Sequence, residues 1–324
     1  MTAVAKVPPL VTVFGGSGFL GRHVVRALAR RGYRIRVAVR NPNVAHHLQP
    51  LGNVGQIHAV QANLRVRWSV DRAVQCADHV VNLVGILFES GRQTFDAVQD
   101  FGARAVAEAA RAAGASLTHV SAIGADINSE IGYARTKARG EQAVLQTVPD
   151  AVIIRPSIIF GPEDGFFNRF AKIARMSPVL PLIGGGETKL QPVYVADVAE
   201  AIACAVDGEL EGGRTYEFGG PETVTFKQCL AKLLDVTGRK RLLVSLPWGI
   251  AKLQGRVLGL LPNPLLTADQ VDMLRSDNVV SAEAEAENRT LAAAGIQPQA
   301  MDAILPGYLW QYRRAGQFTN PNAA

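Results

Sequence analysis

Leu10-Val11-Thr12-Val13-Phe14-Gly15-Gly16-Ser17-Gly18-Phe19-Leu20-Gly21 decides how the rest of the chain is read. Its first five residues are mostly apolar and β-branched, as in a buried strand, and the glycines follow without a gap. Gly15, Gly18 and Gly21 make G-x-x-G-x-x-G, after which Leu20, Val24, Val25 and Leu28 share one face at helical spacing. Strand, glycine turn and helix in that order form a phosphate-binding device. Gly15 permits the tight turn, Gly18 lets backbone approach a pyrophosphate, and Gly21 lets helix pack closely on strand. Ser17, Phe19 and Leu20 complete the loop, and the amides of the helix N-terminus favour an anion. A turn that merely needs glycine is the plain alternative. The loop's place at the head of an alternating pattern argues against it.

That pattern continues with strands expected at 34–39, 56–61, 79–84, 116–121 and 151–155, separated by helical stretches. One such stretch carries Phe95, Val98, Gly102, Ala105, Val106 and Ala109 on one face. The expected fold class is α/β, a Rossmann-type doubly wound parallel sheet with its dinucleotide-binding core in residues 1–155. Beyond Arg155 the rhythm breaks at Pro156, Pro162, Pro178, Pro181 and the glycines 184–186. A strand at 191–195, a helix at 196–206, a short strand at 216–218 and a Thr267/Gln270 capping box still stand out. Residues 156–314 are expected to complete the sheet and form a smaller C-terminal lobe, with a flexible tail at 315–324.

Composition narrows the classes. The chain has 324 residues, 48% hydrophobic and 19% charged, which excludes disorder for the bulk. Cys76, Cys204 and Cys229 form no CxxC and cannot close a disulfide framework, so a reducing cytoplasmic setting is expected. The six histidines show no metal spacing, and no metal is expected. No run of 18 uncharged apolar residues exists. The net charge of +6 is unevenly spread. The first 70 residues hold nine Arg, one Lys and no acid, so the remainder is net acidic. A basic first quarter suits a polyanionic partner such as a dinucleotide. Aromatic residues are 6% of the chain, which counts against nucleic acid.

The expected second strand ends at Arg40-Asn41, where an NAD site usually offers a carboxylate to the ribose. A guanidinium there suits the 2′-phosphate, so NADP(H) is the expected cofactor, with NAD(H) permitted. Asn63-Leu64 and Val84-Gly85, after the third and fourth strands, are placed to line the adenosine half. Tyr133 and Lys137 stand four apart at a helix start. A lysine ammonium and a nicotinamide cation would favour the phenolate and so lower the Tyr133 pKa, while Lys137 could also hold ribose hydroxyls. Ser121 ends the fifth strand as a candidate third catalytic member, but Ala122 denies the site a second hydroxyl. Residues 241–266 are rich in Leu, Val and Ile, with Trp248, Lys252 and Arg256. They suit a partner interface or bilayer surface, or else an apolar pocket wall.

Taken together, the glycine loop, Tyr133/Lys137, the run Arg155 to Asp164 (RPSIIFGPED), Gln191-Pro192-Val193-Tyr194 and Leu266 to Val271 resemble the atypical and extended short-chain dehydrogenase/reductases. The narrower likeness is to the branch that holds the NAD(P)H-binding accessory subunit of respiratory complex I and its bacterial relatives. The resemblance spans most of the chain. It implies cofactor contacts at Pro156 and Ile158, and a nucleotide held as a structural element in a complex I or ubiquinone-linked assembly, with peripheral membrane contact. Other members are active oxidoreductases, epimerases or dehydratases that use the tyrosine as acid/base.

Overall fold

The computed structural model describes residues 7–259 and 266–314. Its centre is a sheet built from β1 (Leu10–Phe14), β2 (Arg34–Val39), β3 (Ile57–Gln61), β4 (His79–Asn82), β5 (Ser116–Val120) and β6 (Val152–Pro156). The order is β3-β2-β1-β4-β5-β6, with the strand Thr215–Phe218 added outside β6 as the seventh. The ladders joining β1 through β6 are parallel. The chain reverses direction across the sheet between β1 and β4, and open α/β sheets bind ligands at such a switch point. Helices α1 (Phe19–Arg30), α2 (Arg67–Val74), α3 (Phe101–Ala113) and α4 (Gly132–Thr147) are the crossovers. Phe14, Val70, Val80, Val106, Leu117 and Ile153 pack together in one core cluster.

Strand ends differ from expectation by a residue or two, for a local reason. The fourth strand stops at Asn82 because its side-chain Oδ1 accepts from Val84 N at 3.2 Å, turning the backbone out of the ladder. The strand expected at 191–195 shrinks to Val193–Tyr194, since the helix Val195–Asp207 starts at once.

The chain divides into two compact units. The first comprises residues up to Ser129, Ala134–Arg155 and Val198–Tyr216; the second comprises Glu130–Tyr133, Pro156–Asp197 and Glu217 onward. The chain leaves the first unit after Arg155, and residues 198–216 return to it. Arg31 holds them there through Glu200 and Asp207, both at 2.7 Å, and the Tyr33 hydroxyl donates to Asp207 at 2.6 Å.

The second unit has an aromatic core in which Phe166, Phe167, Phe170 and Phe226 meet edge to face. Buried Asp164 ties it together. Its carboxylate accepts from the Tyr308 hydroxyl at 2.5 Å and from the amides of Gly161, Phe166 and Asn168. The capping boxes at Thr225/Gln228 and Thr267/Gln270 open two of its helices. The tail at 315–324 lies outside the described residues.

Candidate dinucleotide site

At the carboxyl ends of β1 and β4 the first unit encloses a cleft of about 370 Å³, within the roughly 300–1,000 Å³ usual for small-molecule sites. Gly15, Ser17, Gly18, Phe19, Leu20, Gly21, Arg40, Asn63, Leu64, Val84 and Gly85 all line it. The glycine loop divides its labour in a way the geometry makes explicit. Gly15 has φ of +78°, which only glycine adopts freely. A Cβ on Gly21 would lie 2.3 Å from the Gly15 carbonyl oxygen, so that position is closed by the loop's own packing. A Cβ on Gly18 would meet only that same oxygen, at 3.2 Å. Gly18 is therefore bare on its cleft side. Helix α1 opens with no side-chain cap and no acid in its first turn, leaving its orphan amides to an outside anion.

The opposite end of the cleft is apolar and basic. Ala38, Val39, Ala62, Leu64 and Val98 supply flat apolar walls. Arg40 and Arg65 supply two guanidiniums, and no lining residue is acidic. Arg40 Nη1 donates to Gln93 Oε1 at 2.6 Å, and Arg65 Nη1 to the Arg92 carbonyl at 3.1 Å. Both reach the segment that arches past the cleft after β4, where Ser90 and Gln93 exchange backbone hydrogen bonds of 3.0 Å. Neither Arg65 nor Gln93 was read from the sequence. Arg65 carried a faint signal, since its amide donates to Asn63 Oδ1 at 3.1 Å in a turn that Asn63 favours. That bond leaves the Asn63 amide nitrogen as the group able to face a base.

Lys137 and Ser121 belong to the first unit but are not among the lining residues. Helix α4 comes very close to the turn before α3: a Cβ on Gly140 would stand 2.3 Å from the Gln99 carbonyl oxygen, and Thr136 Oγ1 donates to Gln99 Oε1 at 3.0 Å. That approach delivers Lys137 Nζ to the Val120 carbonyl at 3.2 Å. A Cβ on cleft-lining Gly85 would lie 3.2 Å from the same Nζ, so the ammonium stands just behind the cleft wall. Burial lowers the Lys137 pKa to about 8, with Glu141 pulling the other way. Ser121 Oγ is buried and has no partner among the described residues, and neither has Nε2 of His119 two positions earlier.

Tyr133, Pro156 and Ile158 fall in the second unit. Pro156 closes β6, and Ile158 packs against the aromatic core. At Tyr133, burial pushes the phenol pKa up to about 12, opposing the lowering expected from an ammonium and a bound nicotinamide cation. Losing water disfavours the phenolate. The donor set around the cleft, with its bare glycine, orphan amides, apolar slot and paired guanidiniums, fits a nicotinamide dinucleotide. Among the described residues no cluster suits a metal ion.

Comparison with known proteins agrees with this geometry. Residues 11–219 match the NAD dependent epimerase/dehydratase family, and the chain belongs to it. Within that class the likeness is more particular. The chain is 33% identical over 320 residues to the mitochondrial NADH dehydrogenase [ubiquinone] 1 alpha subcomplex subunit 9 of Arabidopsis thaliana, covering 95% of this chain and 79% of the relative. It is also 33% identical over 238 residues to a ceramide reductase of Caulobacter vibrioides, covering 74% of each. Among solved structures, an NADPH-dependent quinone oxidoreductase of Escherichia coli, complexed with NADPH, shares the fold. Its TM-score is 0.69 at 20% identity, covering 92% of this chain and 98% of the other. Among the described residues, no helix is long and apolar enough to cross a membrane.

Proposed function

We propose that this protein holds NADP(H) as a built-in element of a respiratory assembly of the complex I type, and that the nucleotide turns over little or not at all. The observation that carries the reading is the state of the acid–base pair. A phenol raised to about 12 by burial is displaced from what a tyrosine base requires at neutral pH, and the Lys137 ammonium donates to the Val120 carbonyl. The mitochondrial NADH dehydrogenase relative supports the partner.

The glycine loop and the α1 amides would hold the pyrophosphate, the slot at Ala62 and Leu64 the adenine, and Arg40 with Arg65 the 2′-phosphate. When bound, the nicotinamide supplies hydride chemistry. Lys137 would orient the ribose from behind Gly85.

The unpartnered Ser121 hydroxyl favours a second reading, an NADPH-dependent reductase of a carbonyl substrate, and the ceramide reductase relative supports it. Replacement of Tyr133 by Phe separates the two. A structural role predicts normal growth on a respiratory substrate with Tyr133→Phe as the only copy, and a purified protein whose bound NADPH exchanges slowly. A reductase predicts a loss of about 10²–10⁴ in turnover and growth as poor as that of the deletion, with the variant still folded and nucleotide-loaded. That second outcome would overturn the proposal.

A further inference from the structure

The chain that leaves β4 does not run straight to its helix. Residues 86–95 arch past the cleft, and Ile86 and Gln93, toward the two ends of the arch, both line it. The root of the arch is built into the first unit. Gln99 is buried; its Nε2 donates to the Ile86 carbonyl at 2.7 Å, and its Oε1 accepts from the Thr136 hydroxyl at 3.0 Å. Phe95 is buried as well, and its amide donates to Glu89 Oε1 at 2.7 Å. Between these anchors the chain folds back in a two-residue hairpin. Ser90 pairs with Gln93, and Gly91 takes the φ of +55° that such a turn asks of its first residue. Leu87, Ser90, Gly91 and Arg92 are exposed, so the tip has little packing of its own.

Two guanidiniums tie that tip to the opposite wall. Arg40, just after β2, gives Nη1 to the Gln93 side chain at 2.6 Å, and Arg65, after β3, gives Nη1 to the Arg92 carbonyl at 3.1 Å. Each keeps its Nε and Nη2 without a hydrogen-bond partner among the described residues. Those two nitrogens form the edge by which an arginine grips an oxyanion with parallel hydrogen bonds. Arg155 uses the same edge on the Glu141 carboxylate, at 2.9 and 2.6 Å. Neither Arg40 nor Arg65 pairs with a carboxylate among the described residues, and Glu89, the one acid of the arch, is turned onto the Phe95 amide.

Each guanidinium can thus hold the arch with one nitrogen and an anion with the other two. Gln93 is neutral, so it fixes the plane of Arg40 without cancelling its charge. A long side chain that is held beforehand has less rotamer freedom to lose when the anion arrives. The coupling runs both ways: whatever the arch adds to the grip on a phosphate, the phosphate adds to the grip on the arch.

We infer that residues 86–95 form a strap that shares its guanidiniums with the 2′-phosphate, so that NADPH locks the strap beside the cleft and NADH leaves it loose. Gln93 is the positioning residue that sets this selectivity, acting through Arg40. The inference rests on the reading of the cleft as a dinucleotide site and extends it to the way the two cofactors are told apart.

NADPH and NADH are titrated by fluorescence into the parent, Gln93→Ala and Gln93→Glu, and amide hydrogen exchange of the parent is followed with each nucleotide. Both cofactors should slow exchange in the glycine loop, but only NADPH should slow it at residues 89–94. Gln93→Ala should weaken NADPH about three- to tenfold, the worth of one hydrogen bond, and leave NADH as it was. Gln93→Glu still offers Arg40 an acceptor but sets a negative charge beside the phosphate, so it should weaken NADPH at least about tenfold and spare NADH. Both variants should keep the parent's melting temperature. Equal protection of the strap by the two cofactors, or a Gln93→Ala or Gln93→Glu protein with the parent's NADPH affinity, would overturn the inference while the dinucleotide reading stands. A parent that binds neither nucleotide would overturn both.

Discussion

The two units treat their buried polar groups differently, although Asn168 Nδ2 of the second also lacks a partner among the described residues and the first also exposes apolar side chains such as Val54 and Trp68. The first hides polar atoms without satisfying them: Ser121 Oγ and His119 Nε2 are buried without partners among the described residues, and the first turn of α1 has no side-chain cap. The second satisfies its buried carboxylate four times over at Asp164, yet leaves Met176, Leu242 and Leu253 to water. An unpaired buried polar group costs about 1–3 kcal/mol, and exposed aliphatic groups forgo the burial that drives folding. One deficit is of hydrogen bonds, the other of burial.

That contrast can be broken most decisively at the glycine loop. Gly18→Val should reduce dinucleotide affinity a hundredfold or more by calorimetry while the protein stays folded, because the new side chain meets little but the ligand's space. Gly21→Val should instead damage the loop itself and lower the melting temperature, since its Cβ has no room beside the Gly15 carbonyl. If both variants lose affinity and stability together, the cleft is not a preformed receptor.

A smaller change should come from the basic end. Arg40→Ala should cost NADPH about ten- to a hundredfold in affinity while leaving NADH nearly unchanged, the worth of one charge-assisted phosphate pair. Fluorescence titration reads this directly. Equal losses for both cofactors would mean that Arg40 does no more than hold Gln93.

Tyr308→Phe probes the second unit alone. It removes one of four hydrogen bonds to Asp164 and should cost about 1.5–3 kcal/mol of stability in urea, with nucleotide affinity unmoved. A drop in affinity would show that the two units share more than the contrast allows.

The mildest test is acid. All six histidines lie in the first unit, and three are depressed: His23 and His79 to about 4, His119 to about 3. Burial is the main cause in each, aided by Arg26 and Arg22 at His23 and by Lys137 at His119. The unfolded chain takes these protons near 6.5, so the stability from keeping the rings neutral is complete above that pH and is lost as pH falls toward 4. Urea midpoints should decline gradually from pH 6.5 to 4, and His79→Gln should flatten the decline. A parent profile that stays level would break the assignment.

Much of the first unit was legible because its signals are local. A strand, three glycines and a helix declare themselves within twelve residues, and the alternation that follows fixes the sheet. Arg40, Asn63 and Gly85 follow strand ends, where position alone sets direction, and all three line the cleft. Gln93 could not be read, since it reaches Arg40 through a turn whose shape depends on the Ser90 pairing. The upward push on the Tyr133 pKa could not be read, because burial is a property of the whole fold, and a phenol loses its water whatever stands four residues away. The exposed edge of the second unit was ambiguous for a related reason: an apolar run reads alike whether it faces inward or outward.

The strand Thr215–Phe218 has a consequence for how the molecule is made. It adds outside β6, and the segment that leads to it is pinned to Arg31 near the start of the chain. During synthesis, β6 must therefore wait for some sixty further residues before its free edge is covered. Through that interval the nascent sheet presents a row of unpaired amides and carbonyls to any passing strand. A fragment cut at Arg155 would keep that edge permanently, so the nucleotide-binding half cannot be detached at the place where the chain first leaves it.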